Sequence, residues 1–170
     1  MQGRRGKPRP DAVLRCTRKG AATRQRRRWA FFSNLLDDFG LLNNERGHAE
    51  GDRALTTVAE VLTCQVRASD LVARLGGDEF AILMHDTGPD AARTSLERIR
   101  NLVAAAMRRE KWPVAVSIGA VAYARAPSTV REAIRGADSV MYRAKRGGKN
   151  SVQIEVVESG MGAGIVGVPE

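Results

Sequence analysis

The sequence predicts a mixed α/β fold of the α+β kind, in which a mainly antiparallel central sheet is flanked by helices. Three observations lead there. Leu71, Val72 and Ala73 before Gly76-Gly77-Asp78, and Ala81, Ile82, Leu83 and Met84 after it, read as two strands joined by a tight turn. Apolar residues at spacings of three and four mark three helices: Leu55, Val58, Leu62 and Val66; Leu96, Ile99, Leu102 and Val103; Ala133, Ile134, Ala137, Val140, Met141 and Ala144. Helical and strand patterns alternate along the chain, but the central hairpin is antiparallel, which excludes a doubly wound parallel sheet.

In order, residues 1–28 form a basic arm, 29–157 one domain, and 158–170 a flexible, glycine-rich tail. The apolar and aromatic run from Trp29 to Leu36 predicts a buried central strand, which Asp37-Asp38-Phe39-Gly40 ends. Residues 41–47 form a short helix or loop, and Gly47-His48 a turn in which His48 has no metal-spaced partner. A helix spans about 50–67, with Glu50 and Asp52 in a first turn that favours negative charge. After the hairpin, Gly88-Pro89 marks a loop, and Asp90 caps a helix running from 91 to about 109. Residues 113–123 are a Val- and Ala-rich strand. Thr129-x-x-Glu132 has capping-box spacing and opens the last helix, with Met141 and Tyr142 on its core side and Gly147-Gly148 at its end. Residues 151–157 alternate as a final strand.

Composition narrows the function classes. The net charge of +9 resides in the arm: residues 1–28 hold 11 of the 28 Lys and Arg with one acid, Asp11, leaving 17 basic and 18 acidic residues beyond. The domain is therefore close to neutral, and no specific nucleic-acid partner is expected. No run of 18 apolar residues spans a membrane. The basic N-terminus lacks the apolar stretch of a signal peptide, and Cys16 and Cys64 have neither metal nor redox spacing; the expectation is a cytoplasmic protein.

The chemistry concentrates at Arg74-Leu75-Gly76-Gly77-Asp78-Glu79-Phe80. Two adjacent carboxylates on a turn between buried strands either face water or are compensated by a divalent metal carrying phosphates. Glycines beside them let the backbone approach a ligand.

Further motifs in fixed order carry a family resemblance. The run 35–44, Leu-Leu-Asp-Asp-Phe-Gly-Leu-Leu-Asn-Asn, is similar to D-x-D-x-F-K-x-x-N-D. Residues 47–52 match G-H-x-x-G-D, and Arg67-Ala68-Ser69-Asp70 matches R-x-x-D. Ala137-Asp138, Tyr142, Ala144-Lys145 and Gly148-Lys149-Asn150 are similar to a closing A-D-x-x-x-Y-x-A-K-x-x-G-[RK]-N. On these residues the chain resembles the GGDEF-domain family of bacterial diguanylate cyclases.

The resemblance implies condensation of two GTP into cyclic di-GMP with release of two pyrophosphates, through attack of a ribose 3′-hydroxyl on an α-phosphate, with Mg²⁺ or Mn²⁺ as cofactor. It implies a homodimer in which each protomer presents one GTP. It casts Asp78 as a metal ligand and Glu79 as a metal-linked catalytic carboxylate. Gly76 and Gly77 would lie along the phosphates, Asn43 and Asp52 would read the guanine, and Lys145 and Lys149 would neutralise the β- and γ-phosphates. Arg67 and Asp70 would form an inhibitory cyclic di-GMP site, with Arg100 as a further cation. The chain also departs from the family pattern. Leu35 falls where the family has its first metal-binding Asp, leaving Asp37, the nearest acid on that strand face, to hold the metal with Asp78 and Glu79; Gly40 replaces a lysine; and the opening D-x-L-T-G-L-x-N-R helix is not recognisable in 11–28. Two other readings therefore stand beside the cyclase: a catalytically silent domain that binds cyclic di-GMP through its R-x-x-D site, and a truncated interaction module.

Overall fold

The computed structural model describes residues 29–125, 127 and 129–157, with residues 29–35 described through their backbone. The basic arm 1–28 and the tail 158–170 lie outside the described residues. Nine elements follow in order: β1 (Trp29–Asp37), α1 (Phe39–Arg46), α2 (His48–Gln65), β2 (Leu71–Gly76), β3 (Glu79–His85), α3 (Pro89–Arg109), β4 (Ala115–Tyr123), α4 (Val130–Arg146) and β5 (Val152–Val157).

The strands form one sheet in the order β2-β3-β1-β4-β5. The apolar run from Trp29 is its central strand, antiparallel to β3 on one side and β4 on the other. Among the described strands, only β5 runs parallel to its neighbour, β4. The predicted mixed, mainly antiparallel sheet flanked by helices is the observed one.

Strand alternation sends side chains to two faces, and each face has its own core. Phe80, Ile82, Val116 and Ile118 pack with Leu42 of α1, Leu55, Val58 and Leu62 of α2, and Leu96, Ile99 and Val103 of α3. The intervening Ala81, Val121 and Tyr123 pack instead with Ala133, Ala137 and Val140 of α4. Helices therefore cover both faces. Gly119 marks where β4 meets α4 most closely, since a Cβ there would run into the backbone at Ala137 and Met141.

Several boundaries differ from the sequence reading. Helix α3 begins at Pro89 with Gly88 as its N-cap, so Asp90 lies inside the first turn and acts through the helix dipole rather than as a cap. Leu102, expected inward, is 39 % exposed, because it lies off the stripe set by Leu96, Ile99 and Val103. Tyr142, expected on the core side, is 65 % exposed, because Val140 and Ala144 take the buried positions of α4. Thr129 is the N-cap of α4 as expected, its side chain accepting from the Glu132 backbone N–H. One tie crosses the fold: Trp112 Nε1 donates to Glu50 Oε2 at 2.9 Å, and Arg53 pairs with Glu50 while lying 5.6 Å from the Trp112 ring centroid. It fastens the start of α2 to the α3–β4 connection.

Candidate active site at the end of the central strand

The hairpin tip is a two-residue turn, Gly77-Asp78, between β2 and β3. Gly77 takes φ +46°, a conformation that costs a glycine little, and a Cβ at Gly76 or Gly77 would meet nothing within 4 Å. Arg74 braces the turn, its Nε and a terminal guanidinium nitrogen donating to the Gly77 carbonyl at 2.8 and 2.5 Å. The tip is thus fixed in shape but open around its glycines. Glu79 is exposed and Asp78 half-exposed, and neither carboxylate has an ion-pair partner among the described residues.

β1 delivers the second set of groups to the same place. The Leu36 backbone N–H donates to the Asp78 carbonyl at 3.4 Å, which ties the end of β1 to the tip. Position 35 is the backbone register partner of Glu79 across β1 and β3. Asp37, two residues on, is 2 % exposed. Its Oδ2 accepts from Ser117 Oγ at 2.6 Å and from the Asn150 backbone N–H at 3.2 Å, and its Oδ1 lies 3.5 Å from Lys145 Nζ. Asp38, at φ 63°, makes no cap for α1; it accepts from Lys149 Nζ at 2.7 Å, and that pairing pushes the lysine's pKa above its ordinary value. Asp37, Asp38, Lys145 and Lys149 are therefore brought together beside the tip.

Asn43 and Asp52, the residues expected to read guanine, lie on the helices across the sheet. Gly47, at φ +85°, turns the chain between α1 and α2, and the two helices stack. Asn43 lies against the first turn of α2, with its Oδ1 buried and without a hydrogen-bond partner among the described residues. Asp52 is exposed and lines a cavity of about 690 Å³ with Leu55, Ala59, Val72, Phe80 and Arg74. That volume lies within the range of small-molecule sites, roughly 300–1,000 Å³. Arg74 joins the cavity to the hairpin tip.

Arg67 and Asp70 lie apart from this site, at the opposite end of β2, roughly 17 Å of strand away. Asp70 is employed by the backbone: Oδ2 accepts from the Arg67 N–H at 3.0 Å and Oδ1 from the His85 N–H at 3.1 Å. The Arg67 side chain is exposed. Arg100, expected as a further cation there, donates instead to the Asn150 carbonyl and to Asn101 Oδ1, whereas Arg98, not singled out from sequence, donates to the Gln65 carbonyl two residues before Arg67.

The donor set bears on a divalent cation. Asp78 and Glu79 fit one, being adjacent, accessible acids with no protein cation on them among the described residues. Asp37 offers one oxygen: Ser117 and Asn150 take its Oδ2, while its Oδ1, 3.5 Å from Lys145 Nζ, is buried without a hydrogen-bond partner among the described residues. No group of three His, Cys, Asp or Glu that could hold a metal occurs among the described residues.

The family model described as diguanylate cyclase, GGDEF domain, matches residues 14–151, beginning ahead of Trp29. The chain belongs to the GGDEF-domain family. It is 37% identical over 131 residues to the bifunctional diguanylate cyclase/cyclic di-GMP phosphodiesterase MucR of Pseudomonas aeruginosa, covering 76% of this chain and 19% of that protein. It is 35% identical over 121 residues to diguanylate cyclase DgcP of the same organism, covering 70% of this chain and 18% of that one. The chain thus spans about a fifth of the length of these curated relatives. Among solved structures it resembles the GGDEF domain of DgcB from Caulobacter crescentus in complex with c-di-GMP, with a TM-score of 0.66, 30% identity, and coverage of 75% of this chain and 78% of that one. Diguanylate cyclases of this family generally need a divalent metal. No helix among the described residues is long and apolar enough to cross a membrane.

Proposed function

We propose that this domain is a diguanylate cyclase that condenses two GTP into cyclic di-GMP and two pyrophosphates, as its family relatives are named for doing. The observation that carries the reading is the braced hairpin tip, where Asp78 and Glu79 stand unpaired among the described residues beside two lysines. In a folded domain, adjacent acids left without cations suit a ligand that brings positive charge. A bound Mg²⁺ or Mn²⁺ on Asp78 and Glu79 would supply that charge and offset the developing negative charge on the α-phosphate.

The chain's own groups do the rest. The open backbone at Gly76 and Gly77 accepts the phosphates, and Lys145 and Lys149 neutralise their outer oxygens. Asn43 and Asp52 present amide and carboxylate groups to guanine, favouring GTP over ATP. The Lys149 ammonium exchanges Asp38 for phosphate as substrate enters. With one GTP per site, the product's two linkages require two copies of the domain face to face, in the cytoplasm where GTP is supplied. Asp70 already accepts two backbone N–H bonds, so the observations give less support to product binding through Arg67 and Asp70 as the main role.

The test is formation of cyclic di-GMP from GTP by the purified protein with Mg²⁺ or Mn²⁺. Product that appears with metal, stops on chelation and does not appear from ATP is the expected outcome. A folded protein that binds neither GTP nor metal would sink the proposal.

A further inference from the structure

We infer that Gly51 is a positioning residue for base selectivity: its missing side chain is what lets the Asn43 amide lie flush against α2 beside Asp52. The inference rests on the proposed reading of GTP by Asn43 and Asp52. Gly51 is buried in the first turn of α2, a helical position where alanine is the better helix former. Its backbone is not left-handed, so conformational freedom does not explain a glycine there. Space does. A Cβ at Gly51 would fall inside the contact sphere of Asn43 Oδ1, with Asn43 Cγ at 3.0 Å and Phe39 Cζ at 3.1 Å.

Asn43 and Gly51 sit on different helices joined at Gly47, and each constrains the other. Because Gly51 is bare, the amide occupies the groove between α1 and α2 and its Oδ1 is buried, without a hydrogen-bond partner among the described residues. A methyl group at position 51 displaces the amide more readily than the backbone, because Asn43 meets it with the free end of a side chain. The substitution should therefore spare the fold and damage the readout.

The experiment is calorimetric titration of the full chain with GTP and with ATP, in wild type, Gly51→Ala, Asn43→Ala and the double variant, with thermal midpoints for each. Gly51→Ala is expected to weaken GTP binding by about tenfold, equal to 1.4 kcal/mol, with ATP binding unchanged and a midpoint no lower than wild type. Asn43→Ala should give the same loss, and the double variant no more than either single change. Should Gly51→Ala unfold, the double variant is expected to regain the fold, since removing the amide removes the clash; failure to regain it overturns the inference. A Gly51→Ala protein that keeps full preference for GTP overturns it as well, as does equal loss of both nucleotides. A wild type with no preference for GTP overturns the proposed function itself, and the inference with it.

Discussion

Two pairs of adjacent acids meet where β1 ends, Asp37-Asp38 and Asp78-Glu79, and the chain handles them in opposite ways. The first pair is mostly engaged by the protein: Ser117 and Asn150 hold one oxygen of Asp37, Lys145 lies 3.5 Å from the other, and Lys149 holds Asp38. The second pair carries no protein cation among the described residues, although Arg74 stands within reach and spends its guanidinium on the Gly77 carbonyl instead. Neutralising an acid internally fixes a fold, whereas leaving it unpaired on a rigid turn keeps it for a ligand. On the proposed function, Asp78 and Glu79 are the chemical acids of the site and Asp37 is the more structural one.

Substitutions should separate the two pairs. The largest effect is expected for Glu79→Gln: turnover of GTP should fall by about 10³-fold, while urea unfolding stays within about 0.5 kcal/mol of wild type. Asp37→Ala should do the reverse in stability, costing about 3 kcal/mol because it strands the Ser117 hydroxyl, the Asn150 N–H and the Lys145 ammonium around a cavity. Urea midpoints compare the two, and equal stability losses would erase the distinction between the pairs.

A smaller, pH-dependent effect belongs to a third acid, far from the tip. The Trp112 N–H, followed by Arg53, holds the Glu50 carboxyl below its ordinary value of 4.5. A depressed carboxyl stabilises the fold above its unfolded pKa, and that contribution is lost as pH falls through the folded value. Wild type should therefore exceed Glu50→Gln in stability at pH 7 and converge with it near pH 3, as read from unfolding midpoints at the two pH values. A constant gap would show that charge at Glu50 is not what ties α2 to the α3–β4 connection.

Much of this arrangement was legible in the sequence because it is local. The hairpin, the helical stripes and the Thr129 cap follow from spacing within a few residues, and the motif order carried the family. What was not legible depends on distance along the chain. Asp38 reads only as part of the stretch that ends the first strand, yet its partner is Lys149, 111 residues away. Asp37 reads as the acid nearest the missing metal ligand, and no local pattern announces that Ser117, 80 residues on, will take one of its oxygens. Asp70 likewise matched a motif, and its bond from the His85 N–H, 15 residues away, has no local signal. Gly51 was visible only as a motif letter, and its reason emerges once α1 folds back at Gly47.

Position 35 is the backbone register partner of Glu79 and holds leucine in place of a donor. The most direct measurement is a Mn²⁺ and Mg²⁺ titration of Leu35→Asp against wild type, with cyclic di-GMP formation followed in the same samples. If the hairpin pair is the chemical half of an incomplete metal site, Leu35→Asp should bind metal about tenfold more tightly and turn over faster. A folded Leu35→Asp protein with unchanged metal affinity and unchanged turnover would contradict that assignment.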